Sequence, residues 1–175
     1  MINKERYLNW IQPQSDTFSD EVVFREMYSR IGYIFHVLQM IEYNLANILS
    51  IEEFEKETKT LFSISDIDII KKRIEEKFDK LSELTFGKLK EEIKQSIYLK
   101  SIDFYELTKI KDYRDYLAHR CFKERLIAKK LDILEDVDEF VEELNRFEER
   151  VIKMNNFLVE IFKEKRIQPL SLSFD

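Results

Sequence analysis

The stretch from Val137 to Ile161, VDEFVEELNRFEERVIKMNNFLVEI, decides the fold class. Its large apolar side chains recur in alternating steps of three and four residues, which places them on one side of an α-helix and leaves the glutamates on the other. The pattern predicts a helix over about 134–165, either a long bundle helix or a coiled-coil helix. The apolar stripe consists of Val137, Phe140, Leu144, Phe147, Val151, Met154, Leu158 and Ile161.

A second apolar stripe with the same spacing lies nearer the start of the chain and predicts a helix over about 20–50, preceded by Asp20. Shorter helices are predicted over about 66–81, where Ser65 and Asp68 match a capping box, over about 86–97 behind Thr85, and from Ser101 to about 119. The second stripe consists of Ile34, Leu38, Ile41, Leu45 and Ile48.

Turn-forming residues are scarce between these patterns. The 175 residues include two glycines and two prolines, and no proline lies between residues 14 and 168. A β-sheet protein needs frequent turns, so this composition and the helical patterns together predict an all-α fold. We expect one helical domain over 16–166, with an N-terminal arm at 1–15 and a C-terminal tail at 167–175.

The residue types exclude several enzyme classes. Two glycines cannot build the loop of a dinucleotide-binding site, and no Gly-x4-Gly-Lys phosphate loop occurs. The two histidines, His36 and His119, fit neither a zincin nor a di-iron helix motif, so no metal ligand set is visible. Cys121 is the lone cysteine, and the chain shows neither a signal peptide nor an apolar run of about 18 residues, so we expect a reduced, cytoplasmic protein without a membrane segment.

Charge is concentrated in one segment of this acidic protein. The whole chain has a net charge of −6, whereas residues 109–130 carry eight Lys or Arg against three acidic residues. The segment indicates either a site for an anionic partner or a solvated face of a helix and turn.

Residues 111–122, KDYRDYLAHRCF, contain an arginine, an aspartate and a histidine near the end of a predicted helix. Arg114 is followed directly by Asp115, and four residues separate it from His119. This arrangement resembles the signature of the HEPN domain superfamily, an arginine usually followed by Asn, Asp or His, and then a histidine at the end of a helix. The stretch 85–89, TFGKL, is similar to a segment often seen upstream of that motif. The resemblance covers residues 20–165 and implies a HEPN-like helical bundle with long first and last helices.

The resemblance also implies a metal-independent endoribonuclease that needs no cofactor. When the 2′-OH of RNA attacks the adjacent phosphate, catalysis requires a base, an acid and positive charge at the phosphate. Imidazole can perform both proton transfers and a guanidinium can bind two phosphate oxygens, so His119 and Arg114 are the candidate catalytic residues. Lys111, Arg120 and Lys123 are the candidate RNA-binding residues.

Arg114 and His119 would not share a face of a regular helix, because five residues correspond to about 140° of rotation and about 7.5 Å of rise. Either the helix loosens before His119, or the Arg114 side chain reaches around it, or a second copy completes the site across a two-fold axis. HEPN proteins usually use the last arrangement, so the resemblance implies a homodimer. It is also compatible with a toxin, defence or stress setting, and leaves open whether a neutralising partner protein exists.

Two opposite charges interrupt the apolar stripes of the predicted helices. Arg114 and Glu42, on the first long helix, are predicted either to form an ion pair that holds Arg114 in place or to reach solvent separately. Asp115 is expected to orient Arg114 or His119, or to accept a backbone hydrogen bond.

Two features of the family limit the functional hypothesis. Some HEPN toxins carry a modifiable tyrosine two residues after the histidine, but that position is Cys121 here, so such regulation is not implied. Catalytically inactive HEPN domains also exist. The competing hypothesis is therefore a noncatalytic helical binding or scaffold module that uses the basic segment for a protein or nucleotide partner.

Overall fold

A computed structural model describes residues 20–58, 67–121 and 134–167. These residues form five α-helices and no β-strand, so the predicted all-α fold is confirmed. The arm at 1–15, Ser65 and the tail beyond 167 lie outside the described residues. The helices are α1 (Asp20–Thr58), α2 (Ile67–Ser82), α3 (Phe86–Gln95), α4 (Phe104–His119) and α5 (Leu134–Ile167).

The two long helices, α1 and α5, form the largest helix contact of the fold. All five residues of the α1 stripe and the seven residues of the α5 stripe from Phe140 to Ile161 are buried, so both patterns correctly marked the core. Asn44 and Asn155 lie within this apolar contact, and the amide of Asn44 donates a 2.9 Å hydrogen bond to the side-chain oxygen of Asn155. Because a buried amide must be hydrogen-bonded, this pair favours a single register of α1 against α5.

Three helix boundaries differ from the prediction. α1 continues beyond residue 50 to Thr58, because Ile51 and Phe54 are still buried in the core. α3 ends at Gln95 rather than near residue 97. The prediction that Ser101 starts the next helix is wrong, since Asp103 caps α4 by accepting a 3.0 Å hydrogen bond from the backbone N–H of Glu106.

Glu52 on α1 fixes the turn that leads from α3 into α4. Its buried carboxylate accepts hydrogen bonds from the backbone N–H groups of Ile97 at 2.8 Å and Tyr98 at 3.1 Å, and from the hydroxyl of Ser96. Burial by itself raises the pKa of Glu52, but these bonds and one from Lys56 outweigh it and hold the pKa below its usual value. The start of α4 is therefore anchored to α1 by one ionised side chain.

Candidate functional site

α4 carries the candidate catalytic residues. The apolar side of this helix packs into the core and fixes the orientation of the helix about its own axis. Leu107, Ile110 and Leu117 are fully buried in the core, and so is Cys121 just beyond the helix, as expected for a small apolar residue. This packing leaves Arg114 at the edge of the buried side and turns His119 toward solvent.

The predicted ion pair between Arg114 and Glu42 is present. One guanidinium nitrogen, Nη2 of Arg114, lies 3.4 Å from Oε1 of Glu42, and the two side chains are 34% and 26% exposed. The pair connects α4 to α1 at the surface of the bundle, where water still reaches both groups. Arg114 is thus held in one direction, with part of its guanidinium open to solvent.

Asp115 bridges two cations of α4. Its carboxylate accepts a 2.8 Å hydrogen bond from Lys111 and lies 3.5 Å from Nη1 of Arg114. Lys111 also lies 3.7 Å from Asp112. Of the roles expected for Asp115, the structure therefore shows contact with Arg114, and it adds a partner, Lys111, that the sequence analysis did not assign.

The resulting cluster contains more negative than positive groups. Glu42, Asp112 and Asp115 supply three carboxylates, against the two cations Lys111 and Arg114. Burial raises the pKa of Glu42 despite the attraction of Arg114, and the neighbouring Asp115 adds to that rise. The hydrogen bond to Asp115 raises the pKa of Lys111. A phosphate group that approached these cations would compete with the carboxylate of Asp115 for them.

The first turn of α3 lies beside this cluster. A Cβ atom placed on Gly87 would be 3.7 Å from Cε of Lys111, which is ordinary contact distance. The neighbouring Phe86 and Leu89 are buried, so the turn is held by the core. The 85–89 stretch and the 111–122 stretch, which carried the resemblance together, thus meet at Lys111.

His119 is the last residue of α4 and is exposed. The helix stays regular up to this point, because the backbone N–H of Arg120 still bonds to the carbonyl of Tyr116, at 2.9 Å. The helix therefore does not loosen before His119, and the side chain of Arg114 is directed at Glu42 rather than around the helix. The structure thus shows neither a loosened helix nor an Arg114 side chain that reaches around α4 toward His119.

The structure describes two of the three candidate RNA-binding residues. Arg120 is exposed at the end of α4, and Lys111 is occupied by carboxylates. Lys123 lies outside the described residues. The contact between Lys111 and Asp115 could have been read from the sequence, because oppositely charged residues four apart face each other on a helix.

No family model matches the sequence, and neither a curated protein nor a solved structure matches the chain.

Among the described residues, no group of three or more His, Cys, Asp or Glu side chains could hold a metal ion. None of the helices in the described ranges combines the length and apolar character needed to cross a membrane.

Proposed function

We propose that this protein is a metal-independent endoribonuclease of the HEPN type, located in the cytoplasm, with a site completed by a second copy of the chain. The observation that supports the proposal is a guanidinium held by a carboxylate of another helix, five residues before an exposed imidazole at a helix end. These are the groups that RNA cleavage by its own 2′-OH requires. A toxin or defence system is the biological setting that we propose for such an activity.

In the proposed reaction, one His119 imidazole takes the proton from the 2′-OH of the RNA. The 2′-oxygen then bonds to the adjacent phosphorus, and the bond from phosphorus to the 5′-oxygen breaks. The His119 of the other copy, in its protonated form, gives a proton to the leaving 5′-oxygen. Arg114 binds the non-bridging phosphate oxygens as negative charge develops on them. The products therefore carry 2′,3′-cyclic phosphate and 5′-hydroxyl ends.

The geometry of α4 supports the second copy in this proposal. Arg114 and His119 are separated by about 140° around a regular helix, and Arg114 is held by Glu42. An imidazole and a guanidinium can meet one phosphate when two α4 helices face each other across a two-fold axis.

Turnover of RNA tests the proposal directly. Purified protein is incubated with structured and single-stranded RNA in EDTA, next to the His119→Ala and Arg114→Lys variants. We expect cleavage by the wild type, none by His119→Ala, and poor activity of Arg114→Lys, because an ammonium group cannot bind two oxygens as a fork. DNA should survive because it lacks the 2′-OH. Finding 5′-phosphate ends, a strict need for divalent metal, or full activity of His119→Ala would contradict the mechanism.

A second function is favoured by one observation, the excess of carboxylates around Lys111 and Arg114. Because carboxylates already contact both cations, the cluster suits a noncatalytic module that keeps the HEPN-like bundle as a scaffold and binds a protein partner. The same experiment separates the two functions. A binding module leaves the RNA intact in every variant.

A further inference from the structure

The exposed side of α4 extends well beyond the candidate catalytic residues. Tyr105, Lys109, Asp112 and His119 are exposed and lie along one side of the helix, and Tyr116, on the same side, is partly buried against the core. His119 and Tyr105 are fourteen residues apart, which is about 21 Å along the helix axis. This side of α4 therefore connects the proposed cleavage point to the beginning of the helix.

Two aromatic residues at the beginning of α4 each have at least one lysine ammonium group close to the ring. Tyr105 is 69% exposed, the highest value among the large apolar and aromatic side chains of the described residues. Nζ of Lys109 lies 4.3 Å from the centre of its ring. The neighbouring Phe104 is approached by Lys90 at 5.2 Å and by Lys94 at 5.4 Å. We call these five residues the basic aromatic patch.

The charges of the basic aromatic patch are only partly balanced. Lys94 forms a 2.7 Å ion pair with Glu91, whereas no ion pair involves Lys90 or Lys109 among the residues that the structure describes. Glu106, three residues before Lys109 on α4, is bound by Arg150 at 2.6 Å, and Asp112, three residues after Lys109, lies 3.7 Å from Lys111. The patch thus presents positive charge beside an exposed ring, in contrast to the carboxylate-rich cluster around Arg114.

An exposed tyrosine ring with one ammonium group beside it, and two more on the adjacent Phe104, suits an unpaired nucleotide. Its base can stack on the ring while its phosphates contact the lysines, and this combination is typical of proteins that bind single-stranded RNA. We propose that Tyr105 and Lys109 form a subsite for one unpaired nucleotide of the RNA that is cut at His119. The distance of about 21 Å corresponds to roughly six nucleotides between this subsite and the cleavage point, at the stacked spacing of about 3.4 Å per nucleotide. Fewer nucleotides span the same distance in an extended strand. This inference rests on the proposed ribonuclease function.

Binding of a non-cleavable RNA tests the subsite separately from catalysis. The probe is a labelled 12-nucleotide 2′-O-methyl RNA of mixed sequence, offered to the full chain as a single strand and as a duplex. We expect Tyr105→Ala to weaken single-strand binding by about 5- to 150-fold, and Tyr105→Phe to retain it, because stacking needs the ring and not the hydroxyl. Duplex binding should change little, since paired bases cannot stack on the ring. Lys109→Gln should lower the salt dependence of binding by about one phosphate contact.

Ile69→Ala provides the matched control, because Ile69 is an exposed apolar residue of α2, 46% exposed. Three results would overturn the subsite. One is an equal loss of single-strand affinity in Ile69→Ala and Tyr105→Ala, and another is an equal loss in Tyr105→Phe and Tyr105→Ala. The third is a Tyr105→Ala variant that loses dimerisation instead of RNA affinity. RNA cleavage with no role for Tyr105 would refute this inference alone. Binding that depends on Tyr105, without any cleavage, would refute the proposed catalysis alone.

Discussion

The guanidinium of Arg114 on α4 lies 3.4 Å from the carboxylate of Glu42 on α1, yet burial still raises the pKa of Glu42. The attraction between the two groups is therefore smaller than the cost of removing the carboxylate from water. The pair contributes little to stability at neutral pH. Its consequence is geometric, since it keeps Arg114 pointing in one direction.

This relationship predicts that Glu42→Gln separates stability from activity. The neutral amide removes a charge whose burial is unfavourable, so we expect the free energy of unfolding at pH 7 to change by less than about 1 kcal/mol. Ribonuclease activity should fall by roughly 10- to 100-fold, because Arg114 loses its anchor. Urea unfolding and RNA cleavage assays measure the two quantities on the same sample.

The pH dependence of the same variant provides an independent check. A carboxyl with a raised pKa binds its proton more tightly in the folded state, so its contribution to stability is present at low pH and is lost as the pH rises. Wild type should therefore gain stability relative to Glu42→Gln as the pH falls from 7 toward 4.5. Glu53→Gln on the same helix, whose partner Lys77 lies 3.6 Å away, serves as the control. A difference that moves the other way with pH would contradict the argument.

Glu52 should behave in the opposite manner. Its lowered pKa means that it stabilises the fold above the ordinary value of 4.5, and that this contribution is lost as the pH falls through its folded-state pKa. We expect Glu52→Gln to reduce the free energy of unfolding by about 1–3 kcal/mol at pH 7, because the backbone of Ile97 and Tyr98 loses a charged acceptor. Denaturant unfolding at pH 7 and pH 4 should show a smaller loss at the lower pH. Glu160→Gln, at an exposed position of α5, should have little effect at either pH.

Much of the fold could be predicted from the sequence because it depends on periodic patterns. The stripes of α1 and α5 needed only helical spacing, and the pairing of Glu42 with Arg114 needed only two charges that interrupt such stripes. The start of α4 was mispredicted at Ser101, although Asp103 followed by Glu106 is also a capping signal. The turn before α4 depends on Glu52, which is more than forty residues away in the chain, and local spacing cannot reveal such a contact.

The candidate site was predicted less completely than the fold. Residue types and order were sufficient to select Arg114 and His119, but the balance of charge around them depends on which side chains meet. The sequence makes Lys111 a candidate RNA-binding residue, and in the structure it donates a hydrogen bond to Asp115. Substitution of Asp115 therefore tests whether Lys111 contacts RNA.

Asp115→Asn should increase the affinity for RNA if Lys111 and Arg114 contact phosphate. The substitution removes one negative charge and weakens the 2.8 Å contact that occupies Lys111, so both cations become available. We expect the dissociation constant of a non-cleavable single-stranded RNA to fall several-fold at low salt, with a steeper dependence on salt concentration. Fluorescence anisotropy at several salt concentrations measures both. Asp112→Asn is the control, because the carboxylate of Asp112 lies 3.7 Å from Lys111, farther away than that of Asp115. Weaker binding by Asp115→Asn would mean that Asp115 positions the cations rather than competing for them.

Mixing two inactive variants tests whether one site uses two copies of the chain. In a composite site that contains two His119 and two Arg114 side chains, a His119→Ala dimer lacks both imidazoles and an Arg114→Ala dimer lacks both guanidinium groups. A heterodimer of the two variants restores one imidazole and one guanidinium to the shared cleft, so we expect activity to return on mixing, to peak at equal amounts, and to stay well below the wild-type rate. A site built within one chain cannot respond in this way, because every copy has lost one of its two groups. Sedimentation at tens of micromolar protein should show a dimer and should verify subunit exchange in the mixture. Cleavage by a wild-type monomer would rule out the composite site, whereas exchange without any recovery would show that cleavage requires both His119 or both Arg114 side chains.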